Sequence, residues 1–205
     1  MLITPEKLKQ IASSMKDGFA SEMADLINEL CPKYGITDPV VFKMFLANVI
    51  QESGEFRDKQ ENMNYRAETI VRVWPSRFPD IASASPYAHN PQLLANKVYG
   101  GRMGNTDPND GWQYRGGGFI GITGKETYQK YATYLGKDIS LTADLVHSDN
   151  RYAFDSACWF FAVLKKLIQV AETGNFKAVV KGINGALIGF QTRQHYYELC
   201  KEVLV

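Results

Sequence analysis

The sequence predicts a mainly α-helical protein with at most a small β element. Apolar residues recur at spacings of three and four over most of the chain, which is the pattern of amphipathic helices. The one long exception, residues 100–124, is dense in glycine and predicts loops or a short hairpin. With 205 residues, 45% of them hydrophobic, the chain can bury one core. We therefore predict a single domain over residues 1–205, with a smaller lobe over about residues 65–125.

The helices can be placed in chain order from their apolar stripes and their end signals. Thr4 and Pro5 supply a cap and a first-turn proline for the first helix. Pro75 stops a helix over residues 67–74, and Asn90 with Pro91 opens another that ends at Tyr99. We expect residues 153–170 to form the longest apolar helix and the centre of the core. The remaining predicted helices cover residues 8–15, 23–30, 42–52, 125–135, 176–183 and 191–204.

Composition narrows the classes of function. A formal net charge of +1 gives no reason to expect nucleic acid as a partner. No run of about 20 apolar residues predicts membrane insertion, and no signal peptide is visible, so we expect synthesis in the cytoplasm and delivery elsewhere by another route. The three histidines lack metal-ligand spacing, so neither a metal nor an organic cofactor is implied. The absence of a coiled-coil pattern fits a monomer.

Cysteine usage indicates thiols rather than a disulfide framework. Cys31, Cys158 and Cys200 are widely spaced and odd in number. Cys158 lies in an apolar segment that suits packing better than nucleophilic attack. We therefore expect all three to be buried and reduced.

The first candidate for chemistry is the carboxyl group of Glu52. It shares an apolar stripe with Phe45 and Val49 near the end of a helix that Gly54 terminates, so we expect it to be buried. Burial opposes ionisation, and a carboxyl group that keeps its proton near neutral pH can act as a general acid. Glu55 is the rival candidate, since it lies near the same face beyond Gly54.

The second candidate is Glu61, nine positions after Glu52 in a polar loop. Its neighbours Gln60, Asn62 and Asn64 carry amides that can hydrogen-bond an ionised carboxylate, which suits a general base that activates water. Two carboxyl groups in unlike settings are what acid/base hydrolysis of a glycosidic bond requires. An exposed, solvated glutamate is the alternative for each residue taken alone.

The glycine-rich segment matches a dinucleotide-binding motif literally, over residues 116–121, but lacks its context. No buried strand precedes it and no helix follows directly, so the dinucleotide interpretation is excluded. The glycines then indicate close approach of the backbone to a ligand or to a packed neighbour. Trp112 and Tyr114 could stack on sugar rings or pack in the core.

Two polar residues near the C-terminus complete the candidates. Arg193 lies on the inward stripe of the last helix with Tyr196 and Cys200, so it should find a carboxylate partner. Asn184 precedes Gly185, which predicts a turn, although its amide could instead face a cleft.

Several motifs in fixed order resemble glycoside hydrolase family 19, and most closely its phage endolysin branch. The resemblance runs from about residue 42 to residue 195. The motifs that carry it are Gln51-Glu52-Ser53-Gly54, Glu61-Asn62-Met63-Asn64-Tyr65, Val73-Trp74-Pro75-Ser76-Arg77-Phe78, Ala95-Asn96-Lys97-Val98-Tyr99, Gly101-Arg102-Met103-Gly104-Asn105, Asp110-Gly111-Trp112-Gln113-Tyr114-Arg115-Gly116 and Ile183-Asn184-Gly185.

The resemblance implies a lysozyme-like fold and inverting hydrolysis of β-1,4-linked N-acetyl sugars. It places Glu52 as general acid, Glu61 as general base and Thr123 as a hydroxyl that helps to hold the attacking water. Arg193 resembles an arginine that supports the site through carboxylates. The expected contacts with substrate are Tyr65, Trp112, Tyr114, Arg115 and Asn184. Two positions depart from the family pattern: Gln51 stands where histidine is common, and Gly121 stands where glutamine is usual.

The function expected from this resemblance is that of a peptidoglycan-cleaving endolysin that lyses bacteria. It would act on peptidoglycan glycan strands after release from the cytoplasm through a membrane pore or another export route, with no separate wall-binding domain. An inverting pair of carboxyl groups should stand about 6.5–9.5 Å apart to admit a water molecule. An antibacterial effector, a chitinase acting on poly-N-acetylglucosamine and a catalytically silent glycan-binding module remain alternatives.

Overall fold

The fold is described here from a computed structural model that covers all 205 residues. As the sequence predicted, helices dominate and extended structure is minimal. Two isolated antiparallel bridges, Gln60 with Gly117 and Gly117 with Ile122, are the β structure of the chain. None of the helices combines the length and the apolar character needed to span a membrane.

Thirteen α-helices follow one another along the chain, with a short 3₁₀-helix at Ser85–Tyr87 and a π-helical turn at Phe160–Leu164. The α-helices are α1 (Pro5–Ile11), α2 (Asp17–Lys33), α3 (Pro39–Glu52), α4 (Ala67–Val73), α5 (Ile81–Ala84), α6 (Pro91–Tyr99), α7 (Asp110–Gln113), α8 (Lys125–Leu135), α9 (Ile139–Ser148), α10 (Asn150–Trp159), α11 (Ile168–Glu172), α12 (Phe176–Asn184) and α13 (Phe190–Val203).

The chain divides into two compact units. Unit 1 comprises residues 1–59, 118–121 and 145–205, and unit 2 comprises residues 60–117 and 122–144. The smaller lobe expected over residues 65–125 falls largely within unit 2, and its role in lining a cleft stays a prediction.

The core of unit 1 is built around α3. Asp38 caps this helix by accepting hydrogen bonds from the amides of Val40 and Val41, and Pro39 occupies the first turn. Nine of its fourteen residues are buried, so this helix is apolar on nearly every side and α11, α12 and α13 pack against it. The ring of Phe45 makes edge contacts with Phe154 at 5.9 Å and Phe161 at 5.2 Å between centroids.

The core of unit 2 lies between short helices. Its buried side chains come from α4, α5, α6 and the segments that join them: Met63, Ala67, Ile70, Phe78, Ala84, Leu94, Ala95 and Val98. Helix α7 crosses α6 closely, because a Cβ atom at Gly111 would lie 2.6 Å from the carbonyl oxygen of Ala95. Glycine at position 111 is what permits this approach.

The prediction of one long helix over residues 153–170 is wrong. Helix α10 passes into the π-helical turn, where the amide of Lys165 donates to the carbonyl of Phe160, and Lys166 then takes a left-handed φ of 51°. Two adjacent exposed lysines in an otherwise apolar run mark this break in the sequence. The longest helix is instead α2, with 17 residues.

Helix α9 is absent from the sequence predictions. Its start is marked by Asp138, whose carboxylate accepts hydrogen bonds from the amides of Ser140 and Leu141 at 2.8 and 3.1 Å. An aspartate at this position is a common N-terminal capping signal.

Candidate active site

Glu52 is the last residue of α3, and the prediction that it would be buried is wrong. Its side chain is 28% exposed. The stripe that contains Phe45 and Val49 is buried, but at the end of the helix the carboxylate extends past the core toward α13. Its surroundings are therefore set by its partner, Arg193, rather than by an apolar pocket.

Arg193 confirms the prediction of an inward arginine with a carboxylate partner. It is 3% exposed on α13, and its Nη2 atom donates to Oε1 of Glu52 at 2.5 Å. Its Nη1 atom donates to Oδ1 of Asn48 at 2.9 Å, and its Nε atom donates to the carbonyl oxygen of Ile188 at 3.2 Å. A planar guanidinium with three fixed partners holds a carboxylate in one direction.

Asn184 is the last residue of α12, and its amide holds the turn that follows. Its Oδ1 atom accepts from the amide of Ala186 at 3.0 Å, and its Nδ2 atom donates to the carbonyl of Ile188 at 3.1 Å. Gly185 closes the helix with a φ of 71°. These contacts favour the turn interpretation, and a contact of Asn184 with substrate stays a prediction.

The chain leaves Glu52 through an unusual left-handed turn. Gly54, Glu55 and Phe56 have φ values of 54°, 62° and 64°. Left-handed conformations of side-chain-bearing residues cost free energy and persist where the surroundings impose them. Here Phe56 is buried, with its ring 5.2 Å from that of Phe119 and 6.3 Å from that of Phe154.

Glu55, the rival candidate for the acid, serves as the other anchor of this turn. Its carboxylate accepts from the amide of Ser14 at 2.8 Å and from the hydroxyl of Tyr196 at 2.9 Å. Burial opposes ionisation, but the hydrogen bonds from Ser14 and Tyr196 outweigh it and hold the pKa of Glu55 below its usual value. The carboxylate of Glu55 therefore ties this turn to Ser14 and to α13.

Glu61 lies in unit 2, where a phenol holds it. The hydroxyl of Tyr99 donates to Oε1 and Oε2 of Glu61 at 2.8 and 2.7 Å. The amide of Glu61 donates to the carbonyl of Gly116 at 2.8 Å, which fixes the backbone as well. Glu61 is half-buried rather than fully solvated.

The amide neighbours expected to support Glu61 use their side-chain oxygens elsewhere, and support of the carboxylate by their NH2 groups stays a prediction. Oε1 of Gln60 accepts from Arg115, and Oδ1 of Asn62 accepts from the amide of Asn64.

Tyr99, the partner of Glu61, is not among the residues predicted from sequence. It ends α6 beside the core positions Leu94, Ala95 and Val98, so its position is typical of a packing aromatic. Burial, followed by the charge of Glu61 and their hydrogen bond, raises the pKa of Tyr99 well above its usual value of 10.0. Tyr99 is therefore a neutral donor over the whole physiological range.

Gly116 and Thr123 complete the surroundings of Glu61. A Cβ atom at Gly116 would lie 3.3 Å from Oε2 of Glu61 and 3.6 Å from Oγ1 of Thr123. The carboxylate and the hydroxyl thus face the same small space, which glycine leaves open. This is the arrangement expected of a base and a second group that hold one water molecule.

The other glycines of the segment serve different purposes. Gly118 packs against α10, since a Cβ atom there would lie 2.3 Å from Oγ of Ser156. Gly121 is exposed with a φ of 72°, and no atom lies within 4 Å of a Cβ placed there. The space beside Gly121, where the family commonly has a glutamine, is therefore open.

The aromatic and basic residues expected to bind substrate differ in exposure. Tyr114 is 3% exposed and packs at 5.6 Å from the ring of Tyr128, which favours the core alternative. Trp112 is half-buried, with the guanidinium carbon of Arg115 lying 3.6 Å from the centroid of its ring. Tyr65 is also half-buried and makes an edge contact with Trp74 at 5.7 Å.

Arg115 is itself buried, at 5% exposed. It donates from Nη1 to the carbonyl of Trp112 at 2.7 Å and from Nη2 to Gln60, while its Nε atom has no hydrogen-bond partner. Burial lowers the pKa of Arg115, and Tyr128 and Glu61 oppose this effect. As placed, Arg115 supports the loop before Glu61, and its contact with substrate stays a prediction.

The predicted residues thus assemble in two groups, one in each unit. Glu52, Arg193 and Asn184 belong to unit 1, where Ile188 joins the last two through its carbonyl oxygen. Glu61 and Thr123 belong to unit 2 and lie beside Gly116.

Comparison with known proteins agrees with this fold. No protein-family model matches the chain. A protein of Haemophilus influenzae described as a glycosyl hydrolase family 19 domain-containing protein is 35% identical over 167 residues, which are 80% of this chain and 80% of that protein. The structure of chitinase C from Streptomyces griseus HUT6037 has a TM-score of 0.64 at 16% identity and covers 99% of this chain and 76% of its own. A chitinase C mutant has a TM-score of 0.63 with the same identity and coverage.

The fold is therefore the mainly α, lysozyme-like fold of a chitinase-like glycoside hydrolase. The chain belongs to glycosyl hydrolase family 19, as the order of its motifs predicted.

Proposed function

We propose that this protein hydrolyses β-1,4 bonds in peptidoglycan glycan strands by an inverting acid/base mechanism and so causes bacterial lysis. The observation that carries the proposal is the contrast between its two carboxyl groups. Glu52 has a cationic partner in Arg193, and Glu61 has a neutral partner in Tyr99. Two carboxyl groups with unlike partners can hold different protonation states during one reaction.

In the proposed reaction Glu52 gives its proton to the glycosidic oxygen of the leaving sugar. Glu61 removes a proton from a water molecule, whose oxygen attacks the anomeric carbon from the opposite face of the ring. Arg193 then stabilises the carboxylate that Glu52 becomes, because a guanidinium interacts more strongly with an anion than with a neutral acid.

Tyr99 and Thr123 have separate roles in activating the water molecule. Tyr99 donates a single proton to the pair of oxygens of Glu61, and lone pairs remain to accept from water. The hydroxyl of Thr123 lies beside the same space and would accept or donate a second hydrogen bond to that water. Together they would orient the nucleophile, which is a large part of what a general base site supplies.

The endolysin interpretation draws support from the resemblance of the ordered motifs to phage endolysins. The three cysteines are also free and buried, so the fold depends on no disulfide and can form in a reducing compartment. The protein would be made in the host cytoplasm and reach the wall after release. An antibacterial effector would use the same site and fold.

Chitin is the second candidate substrate. Its support is the fold shared with chitinase C from Streptomyces griseus HUT6037 over 99% of this chain. The chemistry would be the same, since both polymers contain β-1,4-linked N-acetyl sugars, and the difference would lie in how the site accepts the lactyl group and peptide stems of peptidoglycan.

Reducing-end release from purified Gram-negative peptidoglycan and from colloidal chitin distinguishes the candidates. We expect release from peptidoglycan by the wild type and a loss of about 10³-fold in Glu52→Gln. Glu68→Gln, which changes an exposed glutamate of α4, is the matched control and should keep full activity.

Other outcomes would redirect or end the proposal. Release from chitin alone would assign the protein as a chitinase. Binding to either polymer without release, unchanged in Glu52→Gln, would assign a glycan-binding module and contradict the proposal.

A further inference from the structure

Asn48 is a buried polar residue one helical turn before Glu52. It is fully buried within α3, and at a separation of four residues the two side chains emerge on the same face of the helix. An asparagine at such a position must find partners for both ends of its amide, because an unpaired buried polar group costs free energy.

The orientation of the Asn48 amide is determined by chemistry. Its Nδ2 atom donates to the carbonyl oxygen of Met44 at 2.8 Å, and a carbonyl can only accept. Its Oδ1 atom therefore faces the other way, where it accepts from Nη1 of Arg193 at 2.9 Å. The amide links the interior of α3 to the guanidinium.

Arg193 consequently has two neutral acceptors and one carboxylate. The carbonyl of Ile188 and the amide of Asn48 fix the plane of the guanidinium, and the remaining edge is directed at Glu52. Because the guanidinium is rigid, fixing two of its donors fixes the direction of the third.

We propose that Asn48 is a positioning residue that acts on Glu52 through Arg193. The amide of Asn48 orients the guanidinium of Arg193. Because this amide is neutral, Glu52 is the one carboxylate that pairs with the guanidinium. The proposal rests on the role of Glu52 as general acid under the proposed function. Asn48 does not contact substrate in this proposal. Its buried amide controls how strongly the guanidinium of Arg193 interacts with the carboxyl group of Glu52.

Adding a negative charge at position 48 should affect Glu52 more strongly than the loss of the amide alone. Asn48→Asp places a second carboxylate beside Arg193, so an ionised Glu52 is disfavoured and the acid keeps its proton to higher pH. Asn48→Leu removes a neutral acceptor without adding charge. The guanidinium is then held toward Glu52 less firmly, so its carboxylate is stabilised less, but without the added repulsion of a second carboxylate.

Other charged groups near this end of α3 do not provide the same control. Helices α11 and α12 also pack on α3, but their charged side chains Glu172, Lys177 and Lys181 are exposed and make no ion pair with Glu52. On α13, Tyr196 is engaged with Glu55.

The first test is the pH dependence of kcat/KM for glycan hydrolysis by the wild type, Asn48→Asp and Asn48→Leu. The basic limb reports the acid. We expect it to move up by about one pH unit in Asn48→Asp and to move up, by less, in Asn48→Leu. In Asn48→Leu kcat should also fall about tenfold with little change in KM, since the acid is displaced rather than the substrate site.

Asn28→Asp is the matched control. Asn28 has the same pattern of contacts, since its Oδ1 atom accepts from the amides of Leu2 and Ile3 and its Nδ2 atom donates to the carbonyl of Ile3. It has no contact with Arg193, so its replacement should leave both limbs of the pH profile in place. Circular dichroism verifies folding, and Asn48→Leu supplies the readout if the charged variant does not fold.

A double-mutant cycle measured by thermal unfolding tests the coupling between Asn48 and Glu52 without requiring that the protein be active. We expect the losses of Tm in Asn48→Leu and Glu52→Gln to be non-additive by about 2–4 °C. Additive losses, together with unshifted basic limbs in folded variants, would overturn the proposal. An inactive wild type with a non-additive cycle would instead contradict the proposed function and leave the link between Asn48 and Glu52 standing.

Discussion

The surroundings of Glu52 and Glu61 differ in the kind of element that supplies them. Glu52 is held from a helix end by a side chain of another helix, Arg193, which is itself buried and fully engaged. Glu61 is held in a loop, by the backbone of Gly116 and by the phenol of Tyr99. Glu52 is held by an ion pair with a guanidinium, and Glu61 is held by hydrogen bonds with uncharged groups.

Under the proposed function, this difference separates the tasks of two identical side chains. The sequence suggested that burial would separate them, with Glu52 dry and Glu61 wet. The structure separates them by partner instead, because both carboxyl groups are partly exposed and Glu52 forms an ion pair, whereas the nearby guanidinium of Arg115 acts on Glu61 without forming one. Both controls act on the ionised form, which burial disfavours and a cationic partner favours.

The largest effect should come from removing the cation. Arg193→Leu leaves Glu52, Asn48 and the carbonyl of Ile188 without their shared donor, so we expect a loss of about 3 kcal/mol in the free energy of unfolding. We also expect hydrolysis to fall at least about 100-fold, because the acid loses its position. Urea unfolding and initial rates measure the two effects.

Arg193→Lys separates the contribution of charge from that of geometry, and it should lose less stability than Arg193→Leu. Lysine keeps the charge but cannot make the three directed contacts, so we expect it to restore part of the stability and little of the rate. Equal rates in Arg193→Lys and the wild type would show that charge alone suffices, which contradicts the role given to geometry.

Tyr99→Phe tests the hydrogen bond by which an uncharged group holds Glu61. Removing the hydroxyl takes away the donor to both oxygens of Glu61, so we expect kcat to fall by about 10- to 100-fold. The free energy of unfolding should fall by about 1.5 kcal/mol, which is typical of a hydrogen bond to a charged group. Steady-state kinetics and urea unfolding measure these changes. An unchanged kcat would contradict the role proposed for Tyr99 in supporting Glu61.

Gly116→Ala narrows the space between Glu61 and Thr123. The added methyl group would lie 3.2 Å from Cβ and 3.3 Å from Oε2 of Glu61, so the carboxylate must shift by a few tenths of an ångström. We expect a loss of about tenfold in kcat with the fold intact.

Gly18→Ala is the control for this substitution. Gly18 lies in α2 and its Cβ would meet no atom within 4 Å, so this variant should keep full activity. It should gain about 0.5–1 kcal/mol in the free energy of unfolding from helix propensity. Full activity in Gly116→Ala as well would show that the space beside Glu61 is not used.

The smallest effect is expected at alkaline pH. Burial raises the pKa of Tyr99 and of Tyr128 in the folded chain, whereas in the unfolded chain both ionise near pH 10. Their contribution to stability is complete below that pH and is lost as the pH rises further, by up to about 1.4 kcal/mol per pH unit for each group. Tyr99→Phe should reduce the slope of stability against pH above pH 10, and an identical slope would contradict the burial of this phenol.

Most of the fold could be predicted from sequence because its helices carry strong periodicity and clear end signals. The helix over residues 125–135 agrees with α8, and the caps at Thr4 and Asn90 act as expected. The break after Trp159 could not be predicted from periodicity, since an apolar run gives the same pattern in an α-helix and in a π-helical turn. Two adjacent lysines were the local signal.

The site was predictable where a residue's function follows from its position on a helix. Arg193 was expected to face inward and to pair with a carboxylate, and it does. Tyr99 was not recognised, because a tyrosine beside core positions is usually a packing residue and its partner lies 38 positions earlier in the chain. The partner of Glu61 depends on tertiary contacts, which neighbouring residues in a loop do not reveal.

In the proposed reaction, Glu52 and Glu61 act as acid and base on opposite faces of the sugar. The anomeric configuration of the first product, followed by proton NMR during hydrolysis of purified glycan strands, tests this claim directly. We expect the α-anomer to appear first and then to mutarotate, because water attacks the face opposite to the leaving group. Initial appearance of the β-anomer would mean retention through a covalent or internal intermediate, and would contradict the roles given to both carboxyl groups.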